Sequence, residues 1–84
     1  MIEAREKIRS YVQRTLAGKS DREPIADGSR LVTDGRLDSL DIVEMIAFLE
    51  SSFGVDFSQF EFDALRFDSI DSIVALVESL GKRG

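Results

Sequence analysis

Apolar residues recur every three or four positions in three segments of the chain, which is the spacing of one buried helical face. The segments cover residues 4–17, 39–53 and 69–80. Each is followed directly by a glycine, a residue that commonly ends helices, and the last two are preceded by the capping candidates Asp38 and Asp68. We therefore predict three helices. The predicted core positions of the first and last helices are Ile8, Tyr11, Val12, Leu16, Ile70, Ile73, Val74, Val77 and Leu80.

The two connecting segments differ in character. Residues 19–37 are rich in Asp, Gly and Ser and show no sustained period, so they are predicted to form a long loop. Residues 55–67 hold four phenylalanines and leave room for a short helix, predicted over residues 60–65. The long loop is expected to reach the core through its apolar residues, which are Ile25, Leu31 and Val32.

Length and pattern together define the fold class. A chain of 84 residues is too short to build two cores, so residues 1–84 are predicted to form one domain. The hydrophobic fraction of 43% can supply its core, and no segment shows the alternation of a strand. We predict an all-α bundle of three principal helices and one short helix.

The central helix has apolar side chains on two sides. With Leu40 set at 0° and about 100° per residue, a core face lies between about 140° and 240° and includes Ile42, Met45 and Leu49. A second, narrower strip lies nearly opposite. Neighbouring helices could bury both sides, but a bundle of four elements offers few neighbours, so we interpret the strip as a docking face. This apolar strip consists of Leu40, Val43 and Ala47, with Glu44 and Glu50 beside it and Asp41 at the boundary between the two sides.

Two residue types are missing from the chain. It has no cysteine, which excludes disulfides, thiolate nucleophiles and zinc–thiolate sites. It also has no histidine, which removes the commonest general base and the commonest metal ligand. We therefore predict a protein without catalytic residues and without a metal site of its own.

Charge is distributed unevenly within the net value of −5. Residues 34–81 hold eleven acidic residues and two basic ones, whereas residues 1–33 hold seven basic and five acidic residues. Such an anionic surface repels nucleic acid and favours partners with basic patches. No apolar segment is long enough to span a membrane, the N-terminus has no apolar signal region and the chain has no cysteine, so a cytoplasmic location is expected. The anionic surface favours a monomer.

Ser39 is the candidate modification site. With Asp38 as N-cap it lies in the first turn of the central helix, where unpaired N–H groups and the helix dipole favour an attached anion. Its hydroxyl has no histidine, cysteine or nearby lysine to activate it, so another enzyme would have to modify it. Serine and aspartate are also ordinary capping residues, and Asp68-Ser69-Ile70-Asp71 repeats the pattern of Asp38-Ser39-Leu40-Asp41.

Several short motifs follow one another in a characteristic order. They are Leu31-Val32, Asp38-Ser39-Leu40-Asp41, Val43-Glu44, Leu49-Glu50, Phe53-Gly54 and Phe67-Asp68-Ser69-Ile70. In this order and spacing the chain resembles, over essentially its whole length, an acyl carrier protein of the phosphopantetheine-attachment family.

The resemblance implies a function for these residues. Ser39 would carry 4′-phosphopantetheine, installed from coenzyme A by a Mg²⁺-dependent phosphopantetheinyl transferase, with Asp38 helping that enzyme to position the metal and Leu40 contacting it. The thiol of the arm would hold acyl or aminoacyl cargo as a thioester for loading ligases and downstream synthases or transferases. Leu37 stands where many fatty-acid carriers have glycine, and the loop more closely resembles specialised standalone carriers, including aminoacyl and D-alanyl carriers, and peptide-synthetase carrier domains.

The residues alone leave a second function class open. A small acidic helical adaptor that is never modified would use the same docking face, and Ser39 would then be only a capping residue. The two classes differ in one observable, which is whether Ser39 accepts a phosphopantetheinyl group.

Overall fold

Three α-helices and one 3-10 helix are present in the part of the chain that the structure describes. The computed structural model describes residues 2–58 and 63–81. Within these two ranges there is no strand, so the prediction of an all-α bundle with three principal helices and one short one is confirmed. None of the helices in these ranges combines the length and the apolar character needed to cross a membrane. In chain order the elements are α1 (Ile2–Gly18), α2 (Ser39–Phe53), the 3-10 helix (Ala64–Phe67) and α3 (Ile70–Gly81).

Both ends of helix α2 match the prediction. Asp38 is the N-cap: its side chain accepts a hydrogen bond from the Asp41 N–H, and the Asp41 side chain accepts one from the Asp38 N–H. This reciprocal pair is a capping box. At the other end Gly54 adopts a left-handed conformation, with φ of 67°, and its N–H bonds to the Glu50 carbonyl. Glycine takes this conformation without the steric cost that other residues bear.

The short helix differs from the prediction of residues 60–65. Asp63 is extended, with φ of −145° and ψ of 102°, and its carboxylate accepts a hydrogen bond from the Leu65 N–H. It therefore caps a 3-10 helix at Ala64–Phe67 instead of lying inside a longer helix. Residues 60–62, the first half of the predicted helix, lie outside the described residues. Within the described residues the prediction is wrong at both ends, because Asp63 caps the helix from outside it and the helix continues past Leu65 to Phe67.

The cap of α3 is Ser69, and the prediction of Asp68 was wrong. The Ser69 hydroxyl oxygen accepts a hydrogen bond from the Ser72 N–H at 3.0 Å. Asp68 instead faces the long loop, where its carboxylate accepts bonds from the N–H groups of Val32 and Thr33, each at 2.8 Å, and from the Thr33 hydroxyl at 2.6 Å. Asp68 thus fastens the loop to the start of α3.

The core lies between α3 and the elements around it. Of the predicted α3 positions, Ile70, Ile73, Val74 and Val77 are buried and Leu80 is partly buried. Leu76 is also buried, because α3 contacts α1, α2 and the 3-10 helix and so covers a wider face than a single stripe. From the long loop, Ile25 and Leu31 are buried as predicted, Val32 packs against the core, and Leu37 is buried as well.

The long loop is held in place by charged groups as well as by apolar anchors. Arg36 donates to both carboxylate oxygens of Asp21, at 2.9 and 3.0 Å, which closes the loop on itself. Arg5 of α1 donates to Asp27 at 3.0 Å and to Asp71 at 2.6 Å, so that α1, the loop and α3 share one cation. These contacts fix the loop that leads into α2.

Asp68→Asn should lower the free energy of unfolding and make it less dependent on pH in the acidic range. Burial opposes the charge of Asp68, but the hydrogen bonds from Thr33 and Val32 outweigh it and lower the pKa of this carboxyl. A lowered folded-state pKa contributes stability that is present above about pH 4, the unfolded value, and is lost as the pH falls through the folded value. We expect urea unfolding at pH 7 to show a loss of about 1.5–3 kcal/mol, the scale of hydrogen bonds to a charged group.

The pH series supplies the control. At pH 3 the difference between Asp68→Asn and wild type should be smaller, because this pH lies below the pKa of the carboxyl in the unfolded chain, where the stabilisation by its charge is already reduced. Asp34→Asn removes a carboxylate from the same loop, at an exposed position, and should change stability little. An equal loss for Asp68→Asn at pH 7 and pH 3 would contradict the role of its charge.

Candidate functional site

The first turn of α2 presents Ser39 to solvent. Ser39 is the first residue of the helix and is exposed. The capping box on either side of it is well formed: the Asp38 N–H lies 3.0 Å from Asp41 Oδ2, and the Asp41 N–H lies 3.0 Å from Asp38 Oδ1. The hydrogen bond from the Asp41 N–H lowers the pKa of Asp38, so this residue stays a carboxylate at neutral pH. The hydroxyl is therefore accessible on an ordered helix end.

A lysine lies at this site, contrary to the expectation that none is near Ser39. Lys19 directly follows α1, and its ammonium hydrogen-bonds to Asp41 Oδ2 and lies 3.7 Å from Asp38 Oδ2. The hydrogen bond with Asp41 raises the pKa of Lys19. A lysine held as the ammonium ion has no lone pair with which to accept the serine proton, so it supplies charge and not base catalysis. Lys19 therefore supplies no base for the Ser39 hydroxyl.

The surroundings of Ser39 suit an attached phosphate group. The first N–H groups of a helix lack intrahelical partners, and the helix dipole places partial positive charge at this end. Asp38 and Asp41 oppose that charge, and Lys19 offsets them in part. An anion bonded to the Ser39 hydroxyl would thus lie at the positive end of the helix dipole, beside two carboxylates whose charge Lys19 offsets in part.

The apolar strip of α2 is exposed. Leu40 retains 65% of its accessible surface and Val43 retains 55%, and Ala47 is exposed too. Glu44 and Glu50, which flank the strip, are likewise exposed. The interpretation that neighbouring helices bury both sides of α2 is therefore wrong. The opposite side is the core face, where Ile42, Met45 and Leu49 are buried.

Asp41 differs from the other predicted docking residues. Its side chain is only 13% exposed, against 66% for Asp38, because it accepts hydrogen bonds from the Asp38 N–H and from Lys19. The carboxylates that a partner can reach on this part of α2 are those of Asp38, Glu44 and Glu50.

The repeat of the Asp-Ser pattern at α3 is a different kind of site. The Ser69 hydroxyl is half-buried and is used within the protein, since it accepts from the Ser72 N–H and lies 3.1 Å from the Ser72 hydroxyl. The first apolar residue after it, Ile70, is fully buried, whereas Leu40 after Ser39 is exposed. Of the two serines, only Ser39 combines a free hydroxyl with an adjacent apolar strip.

One exposed apolar side chain was not among the predicted site residues. Leu65, on the 3-10 helix, keeps 64% of its surface accessible. Its segment has no clear sequence period, so helical spacing could not assign it to a face. Elsewhere on α2, Phe48 stacks on Tyr11 of α1 with ring centroids 4.2 Å apart, so its ring packs against α1.

A comparison with curated proteins identifies the family. The chain is 33% identical over 81 residues to the acyl carrier protein of Campylobacter hominis, and the match covers 96% of this chain and 98% of that protein. The chain belongs to the acyl carrier protein family. Its general role is that of a non-catalytic acyl carrier. No family model matches the chain, and no solved structure matches it.

Proposed function

We propose that this acyl carrier holds its cargo as a thioester on a 4′-phosphopantetheine arm attached to Ser39. The observation that carries the proposal is the pairing of an exposed serine in the first turn of α2 with an exposed apolar strip on the same helix. The internal use of Ser69 supports Ser39 over the second serine. We take residues 1–84 as one carrier domain.

The attachment reaction uses the Ser39 hydroxyl as the nucleophile. Its oxygen forms a bond to the phosphorus that bears the pantetheine group of coenzyme A. The bond from that phosphorus to the bridging oxygen breaks, and adenosine 3′,5′-bisphosphate leaves. The serine proton passes to a base of the transferase, because the chain has no histidine and the ammonium of Lys19 is held by Asp41. The arm then supplies the thiol that this cysteine-free chain lacks.

Delivery of the cargo depends on brief contacts with several enzymes. The transferase, a loading ligase and downstream synthases or transferases would each present an apolar groove for Leu40, Val43 and Ala47 and basic residues for Glu44 and Glu50. Electrostatic steering gives fast association without tight binding, which suits a carrier that must be released. Leu37 stands where many fatty-acid carriers have glycine, which favours a specialised standalone carrier of acyl or aminoacyl groups. We take it to work as a monomer in the cytoplasm, and its net charge of −5 favours the monomer.

The test is a mass measurement on the folded protein. Incubation with coenzyme A, Mg²⁺ and a broad-specificity phosphopantetheinyl transferase should add the mass of one phosphopantetheinyl group. A folded protein that gains no mass would contradict the proposal. The unmodified helical adaptor, which shares the docking face, would then be the better account of the chain.

Glu44→Lys should slow the modification of Ser39 without disturbing the fold. Glu44 is exposed beside the apolar strip, so reversal of its charge places a cation where a basic partner docks. We expect the transfer rate at low salt to fall by roughly threefold to tenfold, the range in which rim charges affect association. The difference should shrink as salt screens the charges.

A matched charge reversal gives the control for Glu44. Glu78→Lys changes the net charge equally at an exposed position of α3. It should affect the transfer rate much less, because the effect of Glu44 is local to the docking face. Equal rates for Glu44→Lys and Glu78→Lys at every salt concentration would count against docking through α2.

A further inference from the structure

Lys19 connects two helices that are separated by the whole long loop. It follows the last residue of α1, yet its ammonium reaches Asp41 in the first turn of α2, 22 positions further along the chain. The same ammonium lies 3.7 Å from the Asp38 carboxylate. Lys19 thus contacts both carboxylates that flank Ser39.

The capping box creates a charge problem that Lys19 offsets. Asp38 and Asp41 face each other across one turn, each with an oxygen 3.0 Å from the other's N–H. Most capping boxes combine a neutral Ser or Thr with Glu, so they hold one charge, whereas this one holds two carboxylates. Like charges at this range repel each other, and a nearby cation reduces the repulsion.

The contact between Lys19 and Asp41 also determines which of the two carboxylates a partner can reach. The Asp41 carboxylate accepts hydrogen bonds from both Lys19 and the Asp38 N–H, and its side chain is only 13% exposed. The Asp38 side chain is 66% exposed. A partner that approaches the start of α2 therefore meets Asp38 and the Ser39 hydroxyl, with Asp41 held beneath them.

We propose that Lys19 is a positioning residue for the modification of Ser39. Its ammonium holds the Asp38–Asp41 capping box closed, so that Ser39 is presented on an ordered first turn. It also offsets the negative charge that a phosphodiester on Ser39 adds beside the two carboxylates. This inference rests on the proposed function, and it assigns a role to a residue outside α2 that neither the motifs nor the apolar strip includes.

The positioning role predicts which kinetic constant changes. Loss of the ammonium frays the first turn, so a smaller fraction of the bound complexes with the transferase holds the hydroxyl in the reactive position, and kcat falls. Loss of a positive charge also makes the docking face more negative, which attracts a basic partner, so KM should not rise. We expect Lys19→Met to lower kcat on the order of tenfold, since small displacements of reacting groups have large effects on rate.

Two further variants separate charge from structure. Lys19→Arg keeps the cation and should restore kcat to within about twofold of wild type. Arg22→Met removes a nearby positive charge from a residue with no hydrogen bond or ion pair among the described residues, and it should leave kcat unchanged. Hydrogen exchange of the Asp41 amide should be faster in Lys19→Met than in Arg22→Met, because this N–H closes the capping box.

A double-mutant cycle completes the test. Asp41→Asn removes one of the two carboxylates, so on this background Lys19→Met should lower kcat by much less than it does alone. An unchanged kcat for Lys19→Met in the wild-type background would overturn the inference, and so would an equal loss on the Asp41→Asn background. Failure of the wild-type chain to gain any phosphopantetheinyl group would instead overturn the proposed function, and this inference with it.

Discussion

Ser39→Ala should accept no phosphopantetheinyl group under conditions in which the wild-type chain is fully modified. The substitution removes the only atom of the residue that can form the phosphodiester. It removes neither the Asp38–Asp41 capping box nor the core face of α2, because Ser39 is exposed and its hydroxyl takes no part in the box. Intact mass after a long incubation with transferase, coenzyme A and Mg²⁺ is the measurement.

Ser69→Ala is the matched control for Ser39→Ala. It changes the serine of the repeated Asp-Ser pattern, which caps α3, so it should lower stability by about 1 kcal/mol and still gain the full mass. Peptide mapping of the wild-type product should place the group on Ser39. If Ser39→Ala gained mass, or if a folded Ser69→Ala gained none, the assignment of the attachment site to Ser39 in α2 would be wrong.

Phe67→Ala should have the largest effect on stability. Phe67 is fully buried at the end of the 3-10 helix and lies against Phe57, with ring centroids 6.4 Å apart. Truncation of a buried phenylalanine leaves a cavity and costs about 3–5 kcal/mol. Small domains have total stabilities near the lower end of about 5–15 kcal/mol, so this variant should be largely unfolded in moderate urea. Urea unfolding followed by far-ultraviolet circular dichroism measures the change.

Two further substitutions in the 3-10 helix serve as controls for Phe67→Ala. Phe67→Leu keeps an apolar side chain in the core and should lose less stability than Phe67→Ala. Leu65→Ala truncates an exposed side chain of the same 3-10 helix and should change stability by less than about 0.5 kcal/mol. A loss for Phe67→Ala no larger than that for Leu65→Ala would mean that the 3-10 helix does not close the core.

The ends and faces of a helix can be predicted from the sequence when residues close together in the chain determine them. Asp38 and Gly54 carry the conformational preferences that start and end α2, and helical spacing alone separated its buried side from Leu40 and Val43. The exposure of Ser39 and of the apolar strip was therefore predictable, since these residues all lie within one helix.

The contacts between distant segments were not predictable in the same way. Lys19 reaches α2 and Asp68 reaches the long loop only because residues 19–37 fold back over the bundle, and no periodic pattern specifies that path. The prediction of Asp68 as a cap followed a valid local preference, but three hydrogen bonds from Val32 and Thr33 compete for the same carboxylate. Leu76 was missed because the width of the buried face of α3 depends on how many elements surround it.

The stack of Tyr11 on Phe48 gives the chain an intrinsic optical reporter. The sequence contains one tyrosine and no tryptophan, so tyrosine fluorescence comes from a single ring at the contact between α1 and α2. Burial raises the pKa of the Tyr11 phenol, and this alkaline titration can be followed by absorbance. Any event that separates α1 from α2 therefore has a spectroscopic signature in the unlabelled protein.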